Sequence, residues 1–323
     1  MSRRVLVTGG AGFVGSNVAL DLESKGFKVS VIDGFLKGSG ANSFNLKDFK
    51  GEILEADIRN PKKYASFLKG NDVVVHLAGH VSHVDSMTDP ENDLSHNALG
   101  TLRFLYAMKE NCPKGLFVYG GTRGQYGKVL NPPATKKTAL NPTDIYGVNK
   151  TAGEQYALVL SRTKNLNACS VRFTNAYGPR HQMEHSKWGI LNWFFRLAMD
   201  GKDLTIYGKG EQLREYAWVG DIADAFSKIC SIEPAKVDGK ILNLGAPERI
   251  SFASMAEKIV KVVGLSKVVN VEWPEERKSI EVGDFISDDS ESKELLGWNP
   301  SVDIDKGLNM TFDFYKKNKD RYW

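Results

Sequence analysis

The chain has 323 residues, 41% hydrophobic and 25% charged, enough for one large domain or two smaller ones around a substantial core. Its 43 Lys and Arg against 39 Asp and Glu leave a formal charge of +4. That suits an acidic substrate and gives no ground for nucleic-acid or membrane binding. Three widely spaced cysteines, Cys112, Cys169 and Cys230, argue against a disulfide framework and against a Cys-based zinc site. No run approaches the roughly 20 apolar residues that span a bilayer. A reduced, cytoplasmic setting is the simplest reading.

In chain order, short apolar runs at 4–8, 28–33, 52–55, 73–77, 115–119 and 168–173 predict strands. Between them, stretches at 12–25, 62–68, 91–111 and 145–163 predict helices, and Leu94, Ala98, Leu102 and Leu105 recur at helical spacing in the third. Strands alternating with helices predict an α/β fold with a parallel sheet wound on both faces. After Phe173 the rhythm breaks into an aromatic-rich, His-rich tract and mixed short elements, ending in a helix near 305–317 whose basic end, 316–321, reads as solvated. The expected division is a main domain of 1–173 plus about 219–245, with a smaller mixed α/β C-terminal cap of about 174–218 plus 246–323 closing over the sheet's C-terminal edge.

The first strand runs into Thr8-Gly9-Gly10-Ala11-Gly12-Phe13-Val14-Gly15. Glycines at 9, 12 and 15 in a strand-to-helix turn let a backbone approach a pyrophosphate closely, and the helix N-terminus that follows favours an anion. This is the fingerprint of a Rossmann dinucleotide-binding sheet. The second strand ends in Asp33, 18 residues past Gly15, where a carboxylate accepts from the adenosine ribose 2′-hydroxyl and repels a 2′-phosphate. That favours NAD over NADP. Asp57 and Ile58 follow the third strand and either hold the adenine or, through Asp57, cap a helix.

Tyr146 and Lys150 stand four residues apart, on one face of a predicted helix. A phenol is a poor base at neutral pH, and a nearby cation favours the phenolate. With the glycine turn and Asp33, the order of motifs resembles the extended short-chain dehydrogenase/reductase family, in its nucleotide-sugar epimerase and dehydratase branch. The resemblance covers nearly the whole chain. It is carried by 76–79 (His-Leu-Ala-Gly), 97–101 (Asn-Ala-Leu-Gly-Thr), Thr122 with Tyr126-Gly127, Tyr146 with Lys150, 172–180 from Arg172 to Arg180, 212–214 with Asp221, and 296–300. Thr122 four residues before Tyr126, with the tract 178–195, looks most like CDP-tyvelose (CDP-paratose) 2-epimerases; UDP-glucose 4-epimerases are the branch's commoner type.

The resemblance implies that Tyr146 takes the proton from a sugar hydroxyl as hydride leaves to NAD. It implies that Lys150 holds the nicotinamide ribose and that Thr122 bonds the reacting oxygen. Leu77, Ala78, Gly79 and Asn97 would line the cofactor site. Asn175 and Arg214 would contact a nucleotide diphosphate sugar, with Arg277 a second diphosphate ligand, although the acidic residue usual after that Arg is missing. Gly120-Gly121 replaces the family's frequent Ser-Ser. The resembling 4,6-dehydratases carry Asp-Glu directly after the Thr, and the decarboxylases a nearby Glu; Arg123-Gly124 stands here instead. An acid pair cannot be replaced by Arg-Gly. What remains is oxidation of a sugar hydroxyl and hydride return, an epimerisation without net redox at C4 of a UDP-hexose or C2 of a CDP-deoxysugar. A nucleotide-sugar 4,6-dehydratase or 4-ketosugar reductase using the same Tyr and Lys, and a non-catalytic NAD(H)-binding relative, are the rival readings.

His76, His80 and His83 cluster after the fourth strand without the ligand pattern of a metal site, so no metal is expected. His76 reads as packed beside the cofactor and His83 as a candidate sugar contact. The stretch 181–188 reads as either a pocket lining or an exposed loop, and Trp193-Phe194-Phe195 as core. In the resembling family the helices at 91–111 and 145–163 form a four-helix dimer interface, so a homodimer is expected.

Overall fold

The computed structural model describes residues 2–275 and 283–323. Seven strands form one parallel sheet in the order β10-β6-β5-β4-β1-β2-β3. They are β1 (Arg4–Thr8), β2 (Lys28–Asp33), β3 (Glu52–Glu55), β4 (Val73–His76), β5 (Leu116–Thr122), β6 (Asn167–Phe173) and β10 (Ile241–Leu244). Register is set by Val5 opposite Val29 on one side of β1 and opposite Val73 on the other. Near-continuous Val, Ile and Leu runs are what a sheet buried on both faces requires. Val5 and Val7 join Val18 and Leu22 of α1 (Phe13–Ser24) and Phe226 and Ile229 of α7 (Val219–Ser231) in one cluster. Leu6, Ile32 and Val74 point the other way, into a cluster with Phe104, Phe117 and Ala157.

That second face is covered by α4 (Thr101–Asn111) and α5 (Ile145–Arg162). The sheet's order reverses between β1 and β4, and ligands of such folds bind outside the strand ends at that point. The later chain adds two small sheets. β7 (Asn175–Tyr177), β9 (Leu213–Trp218) and β11 (Arg249–Ser251) form one, with β9 in the centre. β8 (Leu204–Tyr207) pairs with β12 (Val268–Val271). A third core gathers Phe194 and Phe195 of α6 (Ile190–Met199), Met255 and Ile259 of α9 (Phe252–Val263), and Leu308 and Tyr315 of the C-terminal helix Ile304–Lys317.

Two predicted helices are built differently. The stretch 62–68 folds as two 3₁₀ turns, Pro61–Lys63 and Ala65–Leu68, because Tyr64 between them leaves helical geometry at φ −127°. The stretch 91–111 is three segments: α3 (Pro90–Leu94), a π-helical turn Ser95–Gly100, and α4. Before these, α2 (His83–Thr88) starts on a Ser82 side-chain cap, and α8 (Pro234–Val237) is a single turn between α7 and β10.

Candidate active site

A cavity of about 1070 Å³ opens along the C-terminal edge of the large sheet, walled on its far side by residues of 181–191 and 205–216. At its floor, Gly9 adopts φ +69°, and a Cβ there would sit 2.8 Å from the Ala78 backbone. A Cβ on Gly15 would lie 2.1 Å from the Gly9 carbonyl oxygen. Only glycine permits this closeness of turn, helix and β4 edge. Gly12 begins α1 without a side-chain cap. Among the described residues, the amides of Phe13, Val14 and Gly15 have no carbonyl partner. They are a ready anion site.

Asp33 is buried on the same wall, and its carboxylate accepts from the amides of Ala11 and Phe35, each at 2.9 Å. Burial raises its pKa, and these backbone bonds work against that. The remaining lone pairs are those a ribose diol needs. Asp57 and Ile58 line the cavity too. Asp57 caps no α-helix: its side chain accepts from the Arg59 amide at 2.8 Å and is forked by the Arg59 guanidinium at 2.6 to 3.0 Å. Burial raises its carboxyl and Arg59 more than offsets that.

Leu77, Ala78 and Gly79 line the cavity, but Asn97 does not. Its amide donates to the His80 carbonyl at 2.8 Å and accepts from the His80 amide at 3.1 Å. The wider π turn carries Asn97 toward that backbone, so it shapes the β4 edge from behind. His76 is likewise off the cavity. It is fully buried among Phe104, Phe117 and Tyr119, held between the hydroxyls of Thr8 at 2.9 Å and Thr101 at 3.2 Å. Burial drives its pKa down to about 3, so it is a neutral core residue rather than a neighbour of the cofactor.

Tyr146 and Lys150 stand on the first turns of α5, both on the cavity wall and both 7% exposed. Burial pushes the Tyr146 phenol up; a hydrogen bond with Thr122 and the Arg123 charge pull it down. The Lys150 ammonium sits over the Tyr119 ring, 4.3 Å from the centroid. Burial lowers the Lys150 pKa to about 8, with Asp93 and Glu154 opposing. Thr122 ends β5, and its hydroxyl also accepts from the Gly124 amide at 3.1 Å.

His83 lines the cavity with its ring edge-on to Tyr146, centroids 5.0 Å apart, and its Nδ1 2.5 Å from Asp144 Oδ2. Asn175 is on the wall, with both amide atoms engaged: Oδ1 accepts from Arg123 Nε at 2.9 Å and Nδ2 donates to the Glu215 carbonyl at 2.9 Å. Arg214 lines the cavity and donates to the Leu213 and Gly283 carbonyls. Arg277 lies outside the described residues. His181, Gln182, Lys187 and Trp188 line the cavity, which resolves the alternatives for 181–188 toward a wall.

Sequence reasoning passed over Asp144, the side-chain cap of α5, and the rings of Tyr207, Phe252 and Trp273 on the cap side. Asp144 directly precedes Ile145-Tyr146, a readable cap signal; the aromatic trio comes from β8, the start of α9 and the segment after β12, and left none. Among the described residues, no group of three or more His, Cys, Asp or Glu side chains is placed to hold a metal ion. No helix described is long and apolar enough to cross a membrane.

The family model "NAD dependent epimerase/dehydratase family" matches residues 5–245. A putative UDP-glucose 4-epimerase of Methanocaldococcus jannaschii is 28% identical over 316 residues, 97% of this chain and 99% of the relative. The UDP-glucose 4-epimerase of Thermotoga maritima, solved with UDP-glucose, superposes with a TM-score of 0.88 at 27% identity, covering 98% of this chain and 99% of that one. The UDP-glucose 4-epimerase of Thermus thermophilus, solved with NAD, does so at 0.85 and 26%, covering 97% and 99%. Glycine turn, buried Asp33 and the Tyr146–Lys150 pair are thus set in a fold shared along the full length, and the chain belongs to the NAD-dependent epimerase/dehydratase family.

Proposed function

We propose that the protein is an NAD-dependent nucleotide-sugar epimerase that oxidises one sugar hydroxyl and returns the hydride to the same sugar. The observation that carries this is Tyr146 and Lys150 buried together on the cavity wall at the start of α5, with Arg123-Gly124 where an eliminating enzyme needs carboxylates. The amides of Phe13, Val14 and Gly15 take the pyrophosphate, Asp33 the adenosine ribose, and Asp57 with Ile58 the adenine. Leu77, Ala78 and Gly79 border the nicotinamide half. Bound NAD supplies the hydride acceptor. Tyr146 receives the hydroxyl proton, Thr122 holds that oxygen, and Lys150 donates to the nicotinamide ribose.

Arg214 and Asn175 face the diphosphate sugar, and Tyr207, Phe252 and Trp273 offer stacking surfaces to the base. Uridine is favoured by the relatives' names, with a CDP-deoxysugar the second choice from the 178–195 tract. The NAD-binding part is assigned to 1–173 plus about 219–245 and the cap to the rest. Exposed Leu99 and Tyr106 near α4, with Val148 and Val159 on α5, support a homodimer through a four-helix bundle. Three unpaired buried cysteines suit a reducing, cytoplasmic setting. The test is to incubate the protein with UDP-, CDP-, GDP- and dTDP-sugars and follow C2, C4 and C5 configuration by NMR. A product that needs stoichiometric NAD(H) refutes the proposal.

A further inference from the structure

Resting on the epimerase reading, we propose that His83, oriented by Asp144, is a second acid/base group that removes and exchanges the proton on the carbon next to the one that is oxidised. The reading above leaves two routes to inversion: turning a ketosugar over in the site, or deprotonating beside the ketone. The second needs a base at a fixed distance from Tyr146, and the structure builds one.

Asp144 is committed on both oxygens. Oδ1 accepts the Gly147 amide at 2.8 Å as the cap of α5, and Oδ2 meets His83 Nδ1 at 2.5 Å. Burial raises the Asp144 carboxyl, but the hydrogen bond to His83, the Gly147 amide and the Arg123 charge hold it below its usual value. An ionised carboxylate on Nδ1 fixes the tautomer that leaves Nε2 as the basic atom, the logic by which carboxylates orient catalytic imidazoles. Among the described residues Nε2 has no hydrogen-bond partner, and the side chain is 43% exposed beside an Asp144 that is 9% exposed. A tether between α2 and α5 would use Nδ1 alone and would not require the ring on the cavity wall.

Distances favour the same role. One point, where a Cβ on Gly124 would stand, lies 3.4 Å from His83 Cε1 and 3.6 Å from Thr122 Oγ1. The imidazole edge therefore lies within about 7 Å of the Thr122 hydroxyl and packs edge-on to Tyr146, with Gly124 leaving the space between them open. The step would begin from the ketosugar left by hydride transfer to the cofactor, with Tyr146 and Thr122 at its oxygen. The C–H bond on the adjacent carbon breaks, its electron pair moves to give an enolate whose oxygen Tyr146 and Thr122 hold, and the proton goes to His83 Nε2. Water protonates the opposite face and His83 releases its proton to solvent, so charge and atoms balance before the hydride returns.

The experiment runs the enzyme in D₂O with UDP-glucose, UDP-N-acetylglucosamine and CDP-glucose and locates deuterium in the product by NMR. The expected result is one solvent deuterium beside the oxidised carbon. His83→Gln should lose that label by at least about 100-fold while still showing the 340 nm absorbance of reduced cofactor on mixing with sugar. Asp144→Asn, which keeps the helix cap, should slow exchange more than cofactor reduction. Epimerised product without deuterium, or full exchange in His83→Gln, overturns the proposal and leaves the epimerase reading standing. If no sugar is epimerised, that reading fails and this proposal with it.

Discussion

Replacing Gly15 by alanine strikes the cofactor floor with a known displacement. The added methyl would lie 2.1 Å from the Gly9 carbonyl oxygen, 2.8 Å from the Gly9 carbonyl carbon and 3.0 Å from the Gly10 Cα, all of them backbone. Ordinary carbon contacts are about 3.5 Å, so turn and helix must part by more than 1 Å. Misplacement of about 1 Å in a positioned site costs on the order of 100-fold, near 2.7 kcal/mol. The amides of Phe13, Val14 and Gly15 move with the turn, so NAD affinity should fall at least that far. Gly12→Ala is the graded control, since its Cβ meets one atom, the Gly9 oxygen, at 3.2 Å. It should cost about tenfold or less. Calorimetric titration with NAD, alongside circular dichroism to establish folding, reads both. A folded Gly15→Ala protein with unchanged NAD affinity would refute the assignment of this turn to the pyrophosphate.

Three further outcomes follow from particular groups. Tyr146→Phe should bind NAD normally yet lose turnover by roughly 10²- to 10⁴-fold, checked by steady-state kinetics on the first sugar that turns over. Glu154→Gln, which leaves the buried Arg172 guanidinium without its carboxylate, should destabilise by about 3–5 kcal/mol in urea unfolding. Burial raises the Glu215 carboxyl to about 7, Ser287 opposing, so the folded chain holds that proton more tightly than the unfolded chain. This stabilisation is complete below about pH 4.5 and lost as pH rises through about 7, a change of at most about 3 kcal/mol. Glu215→Gln should therefore melt higher than the parent at pH 8, with the gap closing toward pH 5; a gap independent of pH contradicts the argument.

The Rossmann half could be read from sequence because its signals are local. Valine-rich runs marked β1, β2 and β4, and glycine spacing with Asp33 marked the cofactor edge within 30 residues. Errors arose where geometry departs from a single period. At 91–111 apolar spacing continued through a π turn, so one helix was expected where three segments form. His76 looked like a site residue because its two threonine partners, Thr8 and Thr101, lie far away in sequence. The His83–Asp144 contact spans 61 residues and two elements, and no linear pattern announces it.

In the proposed reaction one hydride leaves a sugar carbon and returns to that same carbon, on the other face or after inversion beside it. Sugar carrying deuterium at the oxidised carbon, mixed with unlabelled sugar and incubated with the NAD-loaded enzyme, tests it directly by mass spectrometry. The expected result is epimerised product that retains its deuterium, with no accumulation of absorbance at 340 nm over many turnovers. Loss of the label to the NAD pool, or product formed only in proportion to added NAD, would contradict it.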